Sequence, residues 1–244
     1  MSIQKTALVT GASRGIGYGI ACALLESGYK VAINARTFGG FKGSDDFIQI
    51  KGDVSITVES ANIIDIAIEK LGKIDLIICN VGSGSSVLAG KEIYPDWQKS
   101  FSKNFFSSTN IIEASREHLK STKGSIVCIS SICGIEYVDG APTTYSVAKS
   151  ALNFYIKLTA KNLAKDGIRL NGLALGNILF EESVWDNKIK KDPIEVEKYI
   201  KSNVPTNTLG EINDVNNAVL FLSSDKSKFI SGSIIVVDGG QSRG

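Results

Sequence analysis

The sequence offers little that would serve a metal, a nucleic acid or a membrane. Its one histidine, His118, falls near the end of a helical segment, where a cation complements the helix dipole, a surface role rather than a catalytic one. The four cysteines, Cys22, Cys79, Cys128 and Cys133, lie in or beside apolar segments without metal-ligand or paired spacing. They read as small buried hydrophobes of a reducing compartment, and no metal site is expected. With 27 basic against 25 acidic residues the formal charge is +2, too weak a field to gather nucleic acid or anionic lipid. No apolar run approaches the ~20 residues of a membrane span. The first strand-like run starts at Thr6, leaving no room ahead of it for a charged and then apolar leader. A cytoplasmic location is therefore expected, with neither nucleic acid nor membrane as partner. Composition shifts nowhere enough to mark a boundary, so one domain over residues 1–244 is expected.

What is present is a rhythm. Short β-branched runs at residues 6–10, 30–35, 47–52, 75–80, 125–130, 169–175 and 233–238 alternate with helical periodicity at 15–27, 58–71, 96–119, 143–165, 181–202 and 214–223. The runs are continuously apolar, as strands buried on both faces are, and most are separated by enough chain for a helical crossover. The pattern predicts an α/β fold, a doubly wound parallel sheet of seven strands flanked by helices. One connection breaks the rhythm. Only the polar, glycine-rich stretch 36–46 joins the second and third runs, so the helix between them is expected to be missing or vestigial.

The segment Thr10-Gly11-Ala12-Ser13-Arg14-Gly15-Ile16-Gly17 follows the first run directly and opens the first helix. Glycines there permit a tight turn and let the backbone approach a pyrophosphate, whose charge the free N–H groups of a helix N-terminus stabilise. Placed between an apolar strand and a helix, at the start of a βαβ unit, this pattern predicts a dinucleotide site. The end of the second strand bears on which dinucleotide it is. NAD is read there by a carboxylate that accepts from the adenosine ribose. Here the strand ends Asn34-Ala35-Arg36, without an acid. Arg36 and Arg14 offer forked donors for the 2′-phosphate of NADP(H). The alternative is that both are solvated surface arginines, with NAD(H) as the cofactor.

Tyr145 and Lys149 stand one turn apart on the helix beginning near Thr143 and so share a face. In a lysine-rich chain that spacing arises by chance; its surroundings give it meaning. TGASRGIG at 10–17, GDV at 52–54, CNVG at 79–82, Trp97 followed by Asn104, SICG at 131–134 and YSVAK at 145–149 occur in that order. Further segments around 204–210, 218–224 and 237–240 complete the series. Over essentially the whole chain these resemble the short-chain dehydrogenase/reductase family. The resemblance implies a single Rossmann-fold domain and an NADP(H)-dependent oxidoreductase that moves hydride between nicotinamide and a carbonyl or secondary alcohol. It implies Asn104, Ser131, Tyr145 and Lys149 as the catalytic set. It further implies that the cofactor is held by Gly11, Ser13, Arg14, Gly15, Ile16 and Gly17, by Arg36, Asp53 and Val54 at the adenosine, and by Asn80, Gly82, Tyr145, Lys149, Gly176 and Ile178.

A tyrosine titrates near pH 10, so to act as a base near neutrality it needs positive charge nearby, which Lys149 is expected to supply. Tyr145 would then donate a proton during reduction and accept one during oxidation, while Ser131 hydrogen-bonds the substrate oxygen. Lys149 would also hold the nicotinamide ribose, and Asn104 would position a water. Two departures from the family pattern touch this site. Leu175-Gly176 stands where Pro-Gly is usual, adding an N–H and a freer φ. Ser131 is one residue farther from Tyr145 than is common, which predicts an enlarged loop within 134–142.

The substrate pocket is expected from 82–87, 132–139 and a substrate-loop region at about 177–210. Its composition is mixed, with Glu136, Asp139, Glu181, Glu182 and Asp186 beside Tyr137, Val138, Leu179, Phe180 and Trp185. That leaves several substrates open. One is a 3-oxoacyl chain, as for a 3-oxoacyl-(acyl-carrier-protein) reductase, with Lys120, Lys123, Lys188, Lys190 and Lys191 as candidates to dock an acidic carrier. The other is a sugar, steroid-like or secondary-metabolite carbonyl. A non-catalytic NADP-binding redox sensor is a separate alternative, opposed by the presence of both Tyr145 and Lys149. The resemblance also implies a homo-oligomer, a tetramer or dimer paired through the two long helices.

Overall fold

The computed structural model describes residues 4–39 and 46–242. Its strands are β1 (Thr6–Thr10), β2 (Lys30–Ala35), β3 (Ile48–Lys51), β4 (Leu76–Cys79), β5 (Ser125–Ser131), β6 (Arg169–Leu175), β7 (Ile178–Leu179), β8 (Gly210–Glu211) and β9 (Ile234–Val237). Seven of them form one sheet in the order β3-β2-β1-β4-β5-β6-β9, parallel throughout. The strand order reverses between β1 and β4, which opens a crevice at the carboxyl ends of those strands. The expected doubly wound sheet is the one the chain adopts.

The helices are α1 (Gly15–Glu26), α2 (Thr57–Leu71), α3 (Tyr94–Phe101), α4 (Ser107–Thr122), α5 (Thr143–Leu163), α6 (Val184–Lys191), α7 (Pro193–Asn203) and α8 (Ile212–Ser223). They explain why the strands are apolar without alternation. On one face, Leu8, Ile77, Ile126 and Leu170 pack with Ile63 of α2, Ile111 of α4 and Ile156 of α5. On the other, Val9, Ile78, Val127 and Leu173 pack with Ile20 and Leu24 of α1 and Val215 and Val219 of α8. Successive strand residues point to opposite faces, so the central strands are apolar at nearly every position to feed two cores, while the edge strand β3 alternates, with Gln49 and Lys51 exposed.

Three elements differ from the sequence expectation. The helix predicted over 96–119 is interrupted by a π turn, Ser102–Phe106, which separates α3 from α4. The helix predicted over 181–202 is two helices, α6 and α7. Asp192 ends the first and caps the second, accepting the Glu195 N–H at 2.9 Å, with Pro193 at the first helical position. The two-residue β7–β8 ladder, Ile178↔Gly210 and Leu179↔Glu211, was not expected at all. In the β2–β3 connection the described residues hold no helix, and residues 40–45 of that crossover lie outside the described residues. No helix among the described residues is long and apolar enough to cross a membrane.

Candidate active site

The glycine turn is as close as its backbone permits. Gly11 and Gly15 have φ of 64° and 60°, where a side chain is strained. At Gly17 a Cβ would lie 2.5 Å from the Gly11 carbonyl oxygen and 3.1 Å from Ala12 Cα. Arg14 stands at the N-cap of α1 without a side-chain capping bond, leaving the first N–H groups of the helix open toward the crevice. Side chains from neighbouring strands tie the turn down. Asn80 Nδ2 donates to the carbonyls of Thr10 and Gly11, each at 3.1 Å, and the Asn80 N–H donates to Thr10 Oγ1 at 3.0 Å. Asn34, 1% exposed, donates to the carbonyls of Ile50 and Gly52, each at 3.1 Å. Its own carbonyl accepts the Ala12 N–H at 3.0 Å. Thr10 and Asn34 were missed in the sequence, although polar residues inside wholly buried apolar strands were the available signal.

This edge borders a cleft of ≈ 490 Å³, within the size range of cofactor sites. Gly11, Ser13, Arg14 and Arg36 line it on one side, and Asp53, Val54, Asn80 and Gly82 on the other. Lys99 and Lys103, also missed, close the far wall. Burial opposes ionisation of Asp53, but the Ser55 N–H at 2.9 Å and hydroxyl at 2.7 Å, with Arg36 and Lys103 nearby, hold it below the usual carboxylate range. The residues fit a nucleotide. They supply a compact glycine cradle that added side chains would fill, open amides, and cations at the rim. Gly176 and Ile178 do not line this cleft. Gly176 packs on the end of β9, where a Cβ would sit 2.7 Å from Asp238 Cβ, and Ile178 is 6% exposed in the core. Leu175 lies within β6, in register with Ser131, so it continues the sheet rather than forming a loose loop.

The expected catalytic residues converge beside the cleft. Ser131 ends β5, and its Oγ accepts the Cys133 N–H at 3.2 Å, capping the 3₁₀ turn Ile132–Gly134. Tyr145, on the first turn of α5, stands beside the Ser131 side chain, whose hydroxyl favours the phenolate. Lys149, one turn on and 3% exposed, donates from Nζ to the Ile129 carbonyl at 2.8 Å. Asn153, missed in the sequence, continues this helix face. It accepts the Ser130 hydroxyl at 2.6 Å and donates to the Gly134 carbonyl at 3.1 Å, fixing the Ser131 turn against α5.

Asn104 is turned inward by the π turn, a deformation that often marks functional positions. Its Oδ1 accepts the Ser83 N–H at 2.8 Å, and its Nδ2 donates to the carbonyls of Ser83 and Ser100, each at 3.1 Å. A Cβ on Gly82 would lie 3.1 Å from Asn104 Oδ1 and 3.2 Å from Lys149 Nζ, so this glycine leaves room for both side chains.

Burial governs both titrating groups. It pushes the Tyr145 phenol up to about 12, against the Ser131 hydroxyl. It pushes the Lys149 ammonium down to about 8, against the neighbouring thiols Cys128 and Cys79. The tyrosine shift is upward, opposite to the lowering that activation by Lys149 would produce, because desolvation of the phenolate outweighs other influences.

The segment 177–210 is held differently. Trp185 and Tyr199 pack with ring centroids 5.0 Å apart, and Lys188 Nζ lies 4.4 Å from the Trp185 centroid. Gln241 Nε2 donates to the Tyr199 hydroxyl at 3.1 Å, and Asn177 Nδ2 donates to Gln241 Oε1 at 2.8 Å. Several lysines considered for carrier docking are engaged. Lys190 pairs with Asp186 at 2.7 Å, and Lys120 with Glu117 at 2.8 Å and Asp166 at 3.7 Å.

A family model described as enoyl-(acyl carrier protein) reductase matches residues 11–242. The chain is 31% identical to the 3-oxoacyl-[acyl-carrier-protein] reductase FabG of Staphylococcus aureus, across 98% of this chain and 99% of the relative. It is similar to an NADPH-bound short-chain oxidoreductase from Pseudomonas aeruginosa PAO1, with 26% identity, a TM-score of 0.88 and coverage of 98% and 97% of the two chains. It is also similar to 7α-hydroxysteroid dehydrogenase complexed with NADH and 7-oxo glycochenodeoxycholic acid, with 26% identity, a TM-score of 0.85 and coverage of 98% and 95%. The matched span contains the switch-point cleft and the serine, tyrosine and lysine beside it, and the chain belongs to the short-chain dehydrogenase/reductase family of oxidoreductases acting on CH–OH and C=O groups.

Proposed function

We propose that the protein is an NADP(H)-dependent ketone reductase in which Tyr145 delivers the proton to the substrate oxygen. The observation that carries this reading is the juxtaposition of Ser131 and Tyr145, with Lys149 buried one turn behind them and the cleft alongside. A bound nicotinamide supplies the hydride. With its pKa pushed up to about 12, Tyr145 stays protonated at neutral pH, which suits donation to a developing alkoxide. Ser131, fixed by the Cys133 N–H and the Asn153 bracket, offers its hydroxyl to the same oxygen. Lys149, near 8, changes charge close to neutrality and so fits a group that passes a proton on toward Tyr145. Asn104 clamps the Gly82–Ser83 backbone to the π turn and keeps the space beside Lys149 open.

Preference for NADP(H) is supported by Arg14 and Arg36 at the cleft and by the absence of an acid at the end of β2. A ketone is supported by the 3-oxoacyl reductase relative. A small ketone is favoured over a carrier-borne one by the pairing of Lys120 and Lys190, two of the five lysines named for carrier docking, with carboxylates. Cofactor oxidation measured against ketones, keto-acyl thioesters and keto-sugars, with NADPH and NADH in parallel, tests the reading. Turnover with the higher kcat/KM for NADPH is expected, with a loss of about 10²–10⁴-fold in Tyr145→Phe. Full kcat in that variant would refute the proton role, and equal or better use of NADH would refute the cofactor preference.

A further inference from the structure

The loop leaving β7 reaches back onto the glycine turn and makes two contacts there. The Phe180 ring lies against Gly15, where a Cβ would come within 2.8 Å of Phe180 Cε2. Two residues on, Glu182 Oε2 accepts from Arg14 Nη1 at 2.6 Å. Arg14 also lines the nucleotide cleft together with Arg36, so a single guanidinium faces the cleft on one side and the loop carboxylate on the other.

The backbone at Glu182 gives an independent indication. The Ser183 N–H donates to the Phe180 carbonyl at 3.0 Å, closing a turn in which Glu182 is the third residue with φ of 60°. Turns of that shape favour glycine or asparagine at this position. A glutamate there works against the turn, which points to a use for its side chain outside the turn. Glu181, its neighbour, is also exposed but forms no ion pair among the described residues.

We infer that Glu182 sets cofactor selectivity by competing with the 2′-phosphate of NADP(H) for Arg14. The inference rests on the NADP(H) reading given above. A 2′-phosphate arriving at Arg14 meets a carboxylate already on the same guanidinium. Either Glu182 turns away, or it stays as a like charge beside the phosphate; both weaken binding of the phosphorylated cofactor. A neutral 2′-hydroxyl meets no such opposition. Glu182 therefore narrows the gap between NADP(H) and NAD(H). By reciprocity, binding of the 2′-phosphate weakens the hold of the substrate loop on the glycine turn.

Calorimetric titration of the full chain with adenosine 2′,5′-bisphosphate and with adenosine 5′-monophosphate tests this without turnover. Wild type, Glu182→Gln and Glu181→Gln are compared. Glu182→Gln should tighten the bisphosphate by about two- to five-fold, the scale of an exposed ion pair, and leave the monophosphate unchanged. Glu181→Gln should change neither. No change or weaker bisphosphate binding in Glu182→Gln would overturn the inference, as would equal tightening of both nucleotides or an equal effect from Glu181→Gln. Failure of the NADP(H) reading looks different. Wild type would then bind the monophosphate as tightly as the bisphosphate, and the inference would fall with it.

Discussion

Two regions around the site, the sheet edge that borders the cleft and the segment 177–210, are held by different forces. On the sheet side, backbone meets backbone across glycines, and the buried or half-buried amides of Asn34, Asn80 and Asn153 satisfy carbonyls of Ile50, Thr10 and Gly134. On the substrate-loop side the ties are the exposed pairs Arg14–Glu182, Lys190–Asp186 and Lys201–Glu197, with one aromatic pair carrying a lysine. Breaking a buried hydrogen bond leaves a desolvated group that costs about 1–3 kcal/mol, whereas an exposed ion pair contributes about 0–1 kcal/mol. The sheet side is therefore a fixed frame for the cleft and for the Ser131, Tyr145 and Lys149 side chains beside it. The segment 177–210 can shift at smaller cost.

If the frame is held in a desolvated geometry, Lys149 should reveal it most strongly. Lys149→Met is expected to lower kcat by about 10²-fold or more while leaving the protein folded. The lysine titrates near 8 when folded, against 10.5 when exposed. Below about pH 8 both states carry the charge, and the folded state bears the desolvation penalty, of order 3 kcal/mol. Between about 8 and 10.5 the unfolded chain still holds a proton that the folded chain has released. Wild-type stability therefore rises with pH across that window relative to the variant. Unfolding of both proteins at pH 7 and pH 10.5 measures this. A difference between them that did not change with pH would mean that Lys149 is not desolvated.

Gly17→Ala is the next largest test of the frame. The new Cβ meets the Gly11 carbonyl oxygen at 2.5 Å and Ala12 Cα at 3.1 Å, both backbone atoms that cannot swing aside. Overpacking of this kind costs about 1–3 kcal/mol, offset by up to about 1 kcal/mol of helix propensity. Tm should fall by roughly 2–8 °C, with weaker nucleotide binding. An unchanged Tm would show that the turn has slack.

The same contrast explains what could be read in the sequence. The strands were legible because the central ones feed two cores, as Leu8 and Val9 do on opposite faces, leaving few polar positions to blur the pattern. The glycine turn was legible because glycine at 11, 15 and 17 records backbone geometry directly. The π turn was not, because it depends on Asn104 reaching Ser83, 21 residues earlier, while helical periodicity runs on through the inserted residue. The break between α6 and α7 was written in Asp192-Pro193, an N-cap followed by a first-turn proline, and a long apolar period masked it. The Glu182 partner of Arg14, 168 residues away, left no local trace. The direction of the Tyr145 shift was also hidden, since it comes from burial, which spacing on a helix does not reveal.

The smallest effect is expected on the loop side, and its location matters more than its size. Lys188→Ala removes a cation 4.4 Å from the Trp185 ring and 5.9 Å from the Tyr199 ring. At an exposed site such a contact contributes about 0.5–1 kcal/mol. If the loop opens independently of the frame, amide exchange over residues 184–203 should quicken by about two- to five-fold, while the amides of β4 and β5 keep their protection. Those strands exchange only when the whole sheet opens, and Lys188 touches none of it. Loss of protection in β4 and β5 together with the loop would mean that the two regions unfold as one unit, and the distinction between frame and movable segment would fail. Confinement of the change to 184–203 would place the low-cost motion of the site in the loop that carries Trp185 and Tyr199.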